Sequence, residues 1–426
     1  MAKSERVNDK PHLTLAQYQA RACASNQFKG APEAKDHLRF GFFGEVGGLL
    51  AAVKKSHRDL ASAEQNNITE EVGDALWYLT TVAVEYELSL NEVGVAAIAE
   101  LQRRLTVEDA ARPSGELTFH EFDGLIAFCH AKLQAMPISQ ILCQLAGHAG
   151  QIMSGSAEQN LAAQPPLPLL GNLLADMVLV VALFKQNITA IAQANLKKFE
   201  SRWPPVGVAY VPLFDEEISP LEQFPRKLSM HFIERLTVDG KPYVVQRLNG
   251  VNVGDRLTDN RNEPDGYRFH DVFHLAYMAH LGWSPVMRGL LKLKRKSSPD
   301  IDENEDGARA MIIEEGIATW IFNHAHRRNY FSDTTKGKLE YGLLKQVLDM
   351  VDGYEVEKCP LWQWENAILD GFKVFRELRD AGSGIVHVDL ETHSISFEKL
   401  EPEPEQPALP VKHRIFVEAA LPSAQP

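Results

Sequence analysis

RFGFFGEVGGLLAAVKK, residues 39–55, and its continuation NITEEVGDALWYLTTVA, residues 67–83, decide how this chain is read. Phe42, Val46, Leu49, Leu50 and Val53 recur at helical spacing, and Val72, Leu76, Leu79 and Ala83 do the same in the second segment. Two helices packed on these faces make a hairpin. The acids give it chemistry. Glu45 lies among Phe42, Phe43, Val46 and Leu49, where a charge is hard to solvate. Glu71 and Asp74 are three apart, so one helix face presents both carboxylates. A carboxylate in apolar company costs free energy unless it is paired or holds a cation. Three acids from two neighbouring helices suit a hard cation such as Mg²⁺, which takes oxygen ligands and shares them with substrate phosphates. Glu70 is a spare acid beside them. Taken singly, each would read as part of a solvated helix face. Lys54 and Lys55 follow Glu45 on the same helix. Lys54 could touch a phosphate as a point charge, against the plainer reading of both as surface lysines.

GEVGG followed by EEVGDALWYL resembles the MazG-type, all-α nucleoside triphosphate pyrophosphohydrolases over roughly residues 13–105. That family carries an ExxE motif on one helix and an ExxD motif on the next. The ExxD half matches at Glu71-Val72-Gly73-Asp74. The ExxE half departs from the pattern: Glu45 is present, but Gly48 stands three residues on. The resemblance implies Mg²⁺ or Mn²⁺ as cofactor, with Glu45, Glu71 and Asp74 as metal ligands and catalytic groups. The products would be a nucleoside monophosphate and pyrophosphate. Water, His57 or Glu64 could fill the gap that Gly48 leaves.

Length and charge set the frame. A chain of 426 residues is long enough for two or three domains. With 44 basic against 57 acidic residues the net charge is −13. An acidic chain is a poor general binder of nucleic acid or anionic membrane. Cys23, Cys129, Cys143 and Cys359 are scattered, forming no metal or redox pair, and fit reduced thiols in a cytoplasmic protein. The polar N-terminus lacks a secretory h-region. The most apolar run, residues 177–184, is far too short to span a bilayer.

The chain also echoes itself. CQLAGHAGQIM (143–153) follows the pattern of the first motif helix, LLADMVLVVALF (173–184) that of the second, and NITAIAQANLKKFESRW (187–203) that of SLNEVGVAAIAELQRRL (89–105). His148 stands where Glu45 stood and Leu173 where Glu71 stood, while Asp176 matches Asp74. The second copy keeps the apolar skeleton and loses the ligands. The resemblance implies a reason, since such proteins build their bundle from two or more subunits: a degenerate copy would make a pseudo-dimer within one chain. A homo-oligomer is the other possibility. Any two helix pairs share some apolar pattern, which is the plainer account.

The expected organisation is mainly α: a loose arm at 1–12, a MazG-like unit at 13–110, a degenerate repeat at 120–203, a proline-rich linker at 204–220, an α+β domain at 221–400 and a proline-rich, disordered tail at 401–426. Thr14 should cap a first helix that carries Tyr18 inward, and Asn67 should cap the helix of the ExxD motif. One or two strands should lie within GKPYVVQRLNGVNVGDRLTDN. Helices should follow near 266–281, 307–328, 336–351 and 362–380, and IVHVDLETHSISFE should form a hairpin.

Two further features stand out. His270 and His274, in HDVFH, are four apart and share a helix side, while Glu314 and Glu315 sit inside the apolar run MIIEEGIATWIF. HDVFH is not HExxH, because Asp271 replaces the glutamate that would serve as base. Two readings stand open: a second site holding a divalent metal, or a buried polar network. Arg256 and Arg268 could bind an anion nearby. This region resembles domains found C-terminal to MazG-type units in bacterial proteins. The basic run KLKRK, residues 292–296, followed by SSPDIDENED, reads as a solvated loop.

The functional expectation is metal-dependent hydrolysis of a nucleoside triphosphate, with a C-terminal domain that binds nucleotide or carries a second site. The contrasting expectation is a catalytically inactive, nucleotide-sensing scaffold whose C-terminal domain is the effector.

Overall fold

The computed structural model describes residues 12–56, 61–107, 115–154 and 167–400. The expected arm before His12, the tail after residue 400, His57 and the side chain of Glu64 lie outside the described residues. The chain divides into a first unit up to Tyr210 and a second from Val211 onward, residues 360–362 belonging to the first. Among the described residues, no single helix is long and apolar enough to cross a membrane.

The first unit is helical: α1 (Leu15–Ala24), α2 (Ala34–Ser56), α3 (Ala61–Glu85), α4 (Leu90–Arg104), α5 (Phe119–Phe128), α6 (His130–Gln134), α7 (Ile138–Ser154), α8 (Leu167–Leu183) and α9 (Ile188–Arg202). Thr14 caps α1 in a capping box with Gln17, and Tyr18 is buried. The same box recurs at Ser89 with Glu92 and at Thr118 with Glu121. Each satisfies amide groups that a helix start would leave unpaired. α3 begins at Ala61 rather than at Asn67. The residues before Asn67 contain no breaker, so helix propensity carries through it.

The packing is reciprocal. α2 pairs with α3, and α7 with α8; α2 also lies against α7. α4 packs on α8, whereas α9 packs on α3. The segments leading into α1 and α5 meet in an antiparallel bridge, Thr14 to Thr118. Gly171 permits the close approach of α8 to α4: a Cβ there would lie 2.7 Å from the Cβ of Ala96. Apart from half-buried Asn172, α8 is buried from Leu170 to Val181, and its sequence is accordingly strongly apolar.

The second unit has a five-stranded antiparallel sheet in the order β3-β2-β1-β4-β5. The strands are β1 (Lys227–Leu236), β2 (Pro242–Leu248), β3 (Val251–Leu257), β4 (Ser383–Asp389) and β5 (Ser394–Lys399). Between β3 and β4 run α10 (Asp271–Leu281), α11 (Pro285–Leu291), α12 (Pro299–Asn304), α13 (Ala308–His326), α14 (Tyr341–Met350) and α15 (Leu361–Ala381). The sheet exceeds the strands expected from sequence by its central member. β1 alternates buried Leu228, Met230 and Phe232 with more exposed neighbours, the period-two signal of a half-covered strand.

Part of the expected linker is built into this unit. Asp215, almost wholly buried, accepts hydrogen bonds from the Phe224 amide and from Arg226 and Arg288. KLKRK is likewise no solvated loop throughout. Lys292 ends α11 in the left-handed conformation, and Arg295 is fully buried, forked onto Asp306 and Glu355.

Candidate functional site

The acids of α2 and α3 come together. Glu45 is half-buried and hydrogen-bonded to Glu71. Burial, the charge of Asp74 and the bond to Glu71 push its carboxyl up to about 8. Gly48 faces the same acid, for a Cβ at residue 48 would collide with the Glu71 carboxylate. The missing side chain of the ExxE pattern is therefore the space into which Glu71 leans. Gly41 does the same for Tyr78, whose ring lies where a Cβ would stand.

Asp74 has a partner that no local pattern announced. Lys198 of α9 donates to Asp74 Oδ2 at 2.5 Å and to Glu70 Oε1 at 2.9 Å. Asn195, one turn earlier, donates to Asp74 Oδ1 at 3.1 Å and accepts from the Tyr18 hydroxyl at 2.7 Å. Burial raises the Asp74 carboxyl, with Lys198 opposing, and burial also raises the Tyr18 hydroxyl. Lys54 and Lys55 are exposed near the end of α2, whereas Lys198 reaches the acids. Across the unit Asp176 is fully buried and held by Arg104 of α4 at 2.5 Å and His148 at 2.6 Å. A basic side chain from the third helix of one half thus closes on the aspartate of the other, in both directions.

Glu45 gives the unit a pH signature. Its folded-state pKa lies above its ordinary value of 4.5, so its contribution to stability is complete below about 4.5 and lost as pH rises through about 8. Thermal unfolding of chelator-treated protein should show the parent losing stability relative to Glu45→Gln across that window and levelling above it. A constant difference between the two would place Glu45 in open solvent.

In the second unit the two histidines and two glutamates also meet. A 3-10 turn, Tyr267–Phe269, leads into α10 and stacks Tyr267 flat on His270 at 4.3 Å. His270 Nδ1 lies 2.9 Å from the Tyr267 carbonyl, and its Nε2 lies 3.1 Å from Asp271 Oδ1 and 3.9 Å from Glu315 Oε2. His274 is wholly buried, with Nδ1 at 2.9 Å from Glu314 Oε1 and Nε2 at 3.5 Å from Glu315 Oε2. Burial alone would favour its neutral ring, but the Glu314 carboxylate outweighs that and raises its pKa. The glutamates divide their roles. Buried Glu314 also accepts from Ser284 Oγ and the Val286 amide, whereas Glu315 is 43% exposed.

The grooves that Arg256 and Arg268 line have neither of these histidines and neither of these glutamates on their walls. Arg268 is held by Glu234 at 2.6 Å and Asp259 at 2.8 Å, because burial demands partners for its charge. It lines a groove of about 470 Å³ with Arg261, His326 and Arg379. Arg256 lines a separate groove of about 580 Å³ along β2 and β3, together with Gln246.

Residues 209–401 match the MazG C-terminal domain. No curated protein and no solved structure matches the chain. The second unit is thus similar to MazG-associated C-terminal domains. Within this second unit, sequence reasoning set Asp271 aside as a failed general base and passed over Ser284 and Gln246. Yet the Gln246 amide donates to Asp271 Oδ2 at 2.5 Å, which turns the other carboxylate oxygen toward His270. A signal existed: an acid directly beside a histidine at the start of a helix that is apolar through Leu281 except for His274, Tyr277 and His280.

Proposed function

We propose that the first unit hydrolyses nucleoside triphosphates, NTP or dNTP, to monophosphate and pyrophosphate with Mg²⁺ or Mn²⁺, and that its two helical halves are tandem MazG-like copies. The observation that carries the reading is the crowding of Glu45 against Glu71 and Asp74. Glu45 resists ionisation in this company, and a divalent cation would relieve the repulsion. Glu45, Glu71 and Asp74 would hold the ion, with Glu70 beside them. When bound, it would lower the pKa of the attacking water and neutralise charge on the phosphate oxygens. Lys198 and Asn195 fix the Asp74 carboxylate, and Tyr18 fixes Asn195. The reciprocal packing of α4 on α8 and α9 on α3 supports a pseudo-dimer within one chain over a homo-oligomer. The MazG C-terminal domain would bind nucleotide or hold a second site.

One observation favours a second reading. Lys198 already supplies a positive charge to Asp74 and Glu70, and Gly48 removes a ligand position. A unit so arranged could bind a nucleotide without cleaving it and act as a sensor. A screen of the common NTPs and dNTPs with Mg²⁺ and Mn²⁺, following pyrophosphate, separates the two. Release from at least one substrate is expected. No release, combined with a rise in Tm on adding Mg²⁺ and a non-hydrolysable triphosphate, would establish the sensor instead.

A further inference from the structure

We propose that His270, Asp271, His274 and Glu315 bind one first-row divalent metal ion in the MazG C-terminal domain, a site independent of the N-terminal carboxylates. The imidazoles are set for it. A carbonyl oxygen only accepts, so His270 Nδ1 carries the hydrogen that meets the Tyr267 carbonyl, leaving Nε2 as the ligand atom. His274 donates from Nδ1 to Glu314, whose oxygens are further occupied by Ser284 Oγ and the Val286 amide. A carboxylate behind a histidine, fixing its tautomer and direction, is the usual support of a metal-bound imidazole.

What remains is His274 Nε2. It belongs to a side chain with no exposure and has no hydrogen-bond partner. It points toward Glu315 Oε2 at 3.5 Å, beyond a good hydrogen bond, and His270 Nε2 faces the same oxygen at 3.9 Å. Ligand atoms of His270, Asp271 and His274 all lie within 4.8 Å of one another. Metal bonds of about 2.0–2.2 Å to nitrogen and oxygen put neighbouring donors roughly 3–4 Å apart, so a small inward movement closes the shell. Two imidazoles and two carboxylates suit Zn²⁺ or Mn²⁺ better than Mg²⁺ or Ca²⁺, which take oxygen alone. Glu315 is the half-exposed member, so the open side of the site is its side. There, water or an anionic group can complete the coordination.

The test uses the full chain. After chelation, Zn²⁺ and Mn²⁺ are titrated calorimetrically, and Co²⁺ is added to read its visible absorption, which reports nitrogen ligation. One equivalent beyond any taken by the first-unit carboxylates is expected, retained in Asp74→Asn and weakened at least tenfold in both Glu315→Gln and His270→Ala. Circular dichroism of each variant checks folding, and the half-exposed Glu315→Gln keeps the test decisive should His270→Ala unfold. No bound equivalent, or equal affinity in Glu315→Gln and the parent, overturns the site. Binding lost only in Asp74→Asn would place the metal in the first unit. Failure here leaves the pyrophosphohydrolase reading untouched.

Discussion

Asp74→Asn is expected to lower pyrophosphate release at least about a hundredfold while leaving the helical unit folded, since each 1.4 kcal/mol of lost charge stabilisation is a tenfold loss in rate. Asp74 is the α3 carboxylate that both Lys198 and Asn195 hold in place. Asparagine keeps the shape and can still accept the Asn195 amide. Lys198 keeps Glu70 as a partner, so no buried ammonium is stranded. Burial already raises the pKa of Asp74, so removing its charge should cost the fold little. Steady-state assays with the best substrate, beside thermal unfolding, check both halves. Asp176→Asn is the control. Asp176 is fully buried and pairs with Arg104 and His148, so its loss should lower Tm more than turnover. Parental turnover by Asp74→Asn would remove Asp74 from the chemistry. Equal loss from both variants would make the second half a live site.

Arg295→Met should destabilise the second unit by about 3–5 kcal/mol, the usual cost of stranding a buried charge. Arg295 has no exposure and donates to both oxygens of Asp306 and both oxygens of Glu355. Methionine fills comparable volume without charge. Asp306 would keep the backbone amide of residue 295 and Arg288 at 3.6 Å, too little for a carboxylate with no exposure. Arg295→Lys should rescue little, because an ammonium cannot fork onto two acids. Urea unfolding followed by tryptophan fluorescence reads the loss. A shift below about 1 kcal/mol would mean that the network sets specificity rather than stability.

The helices of the first unit were legible in the sequence, because apolar spacing and capping residues act over one or two turns. Thr14 with Tyr18, the Glu71–Asp74 face and the 383–399 hairpin all carry their instructions within a few residues. So did the pairing of His270 with His274. What local pattern could not supply was the company each charge keeps. Lys198 lies 124 residues from Asp74, and only the packing of α9 on α3 brings it there. Whether Glu314 or Glu315 faces His270 depends on the direction in which α13 presents adjacent side chains. Arg295 in its basic run looked exposed until Asp306 and Glu355 closed around it. Periodicity is fixed by backbone geometry and is readable residue by residue. Burial of a charge is fixed by which distant elements cover it, and that is decided only when the core forms.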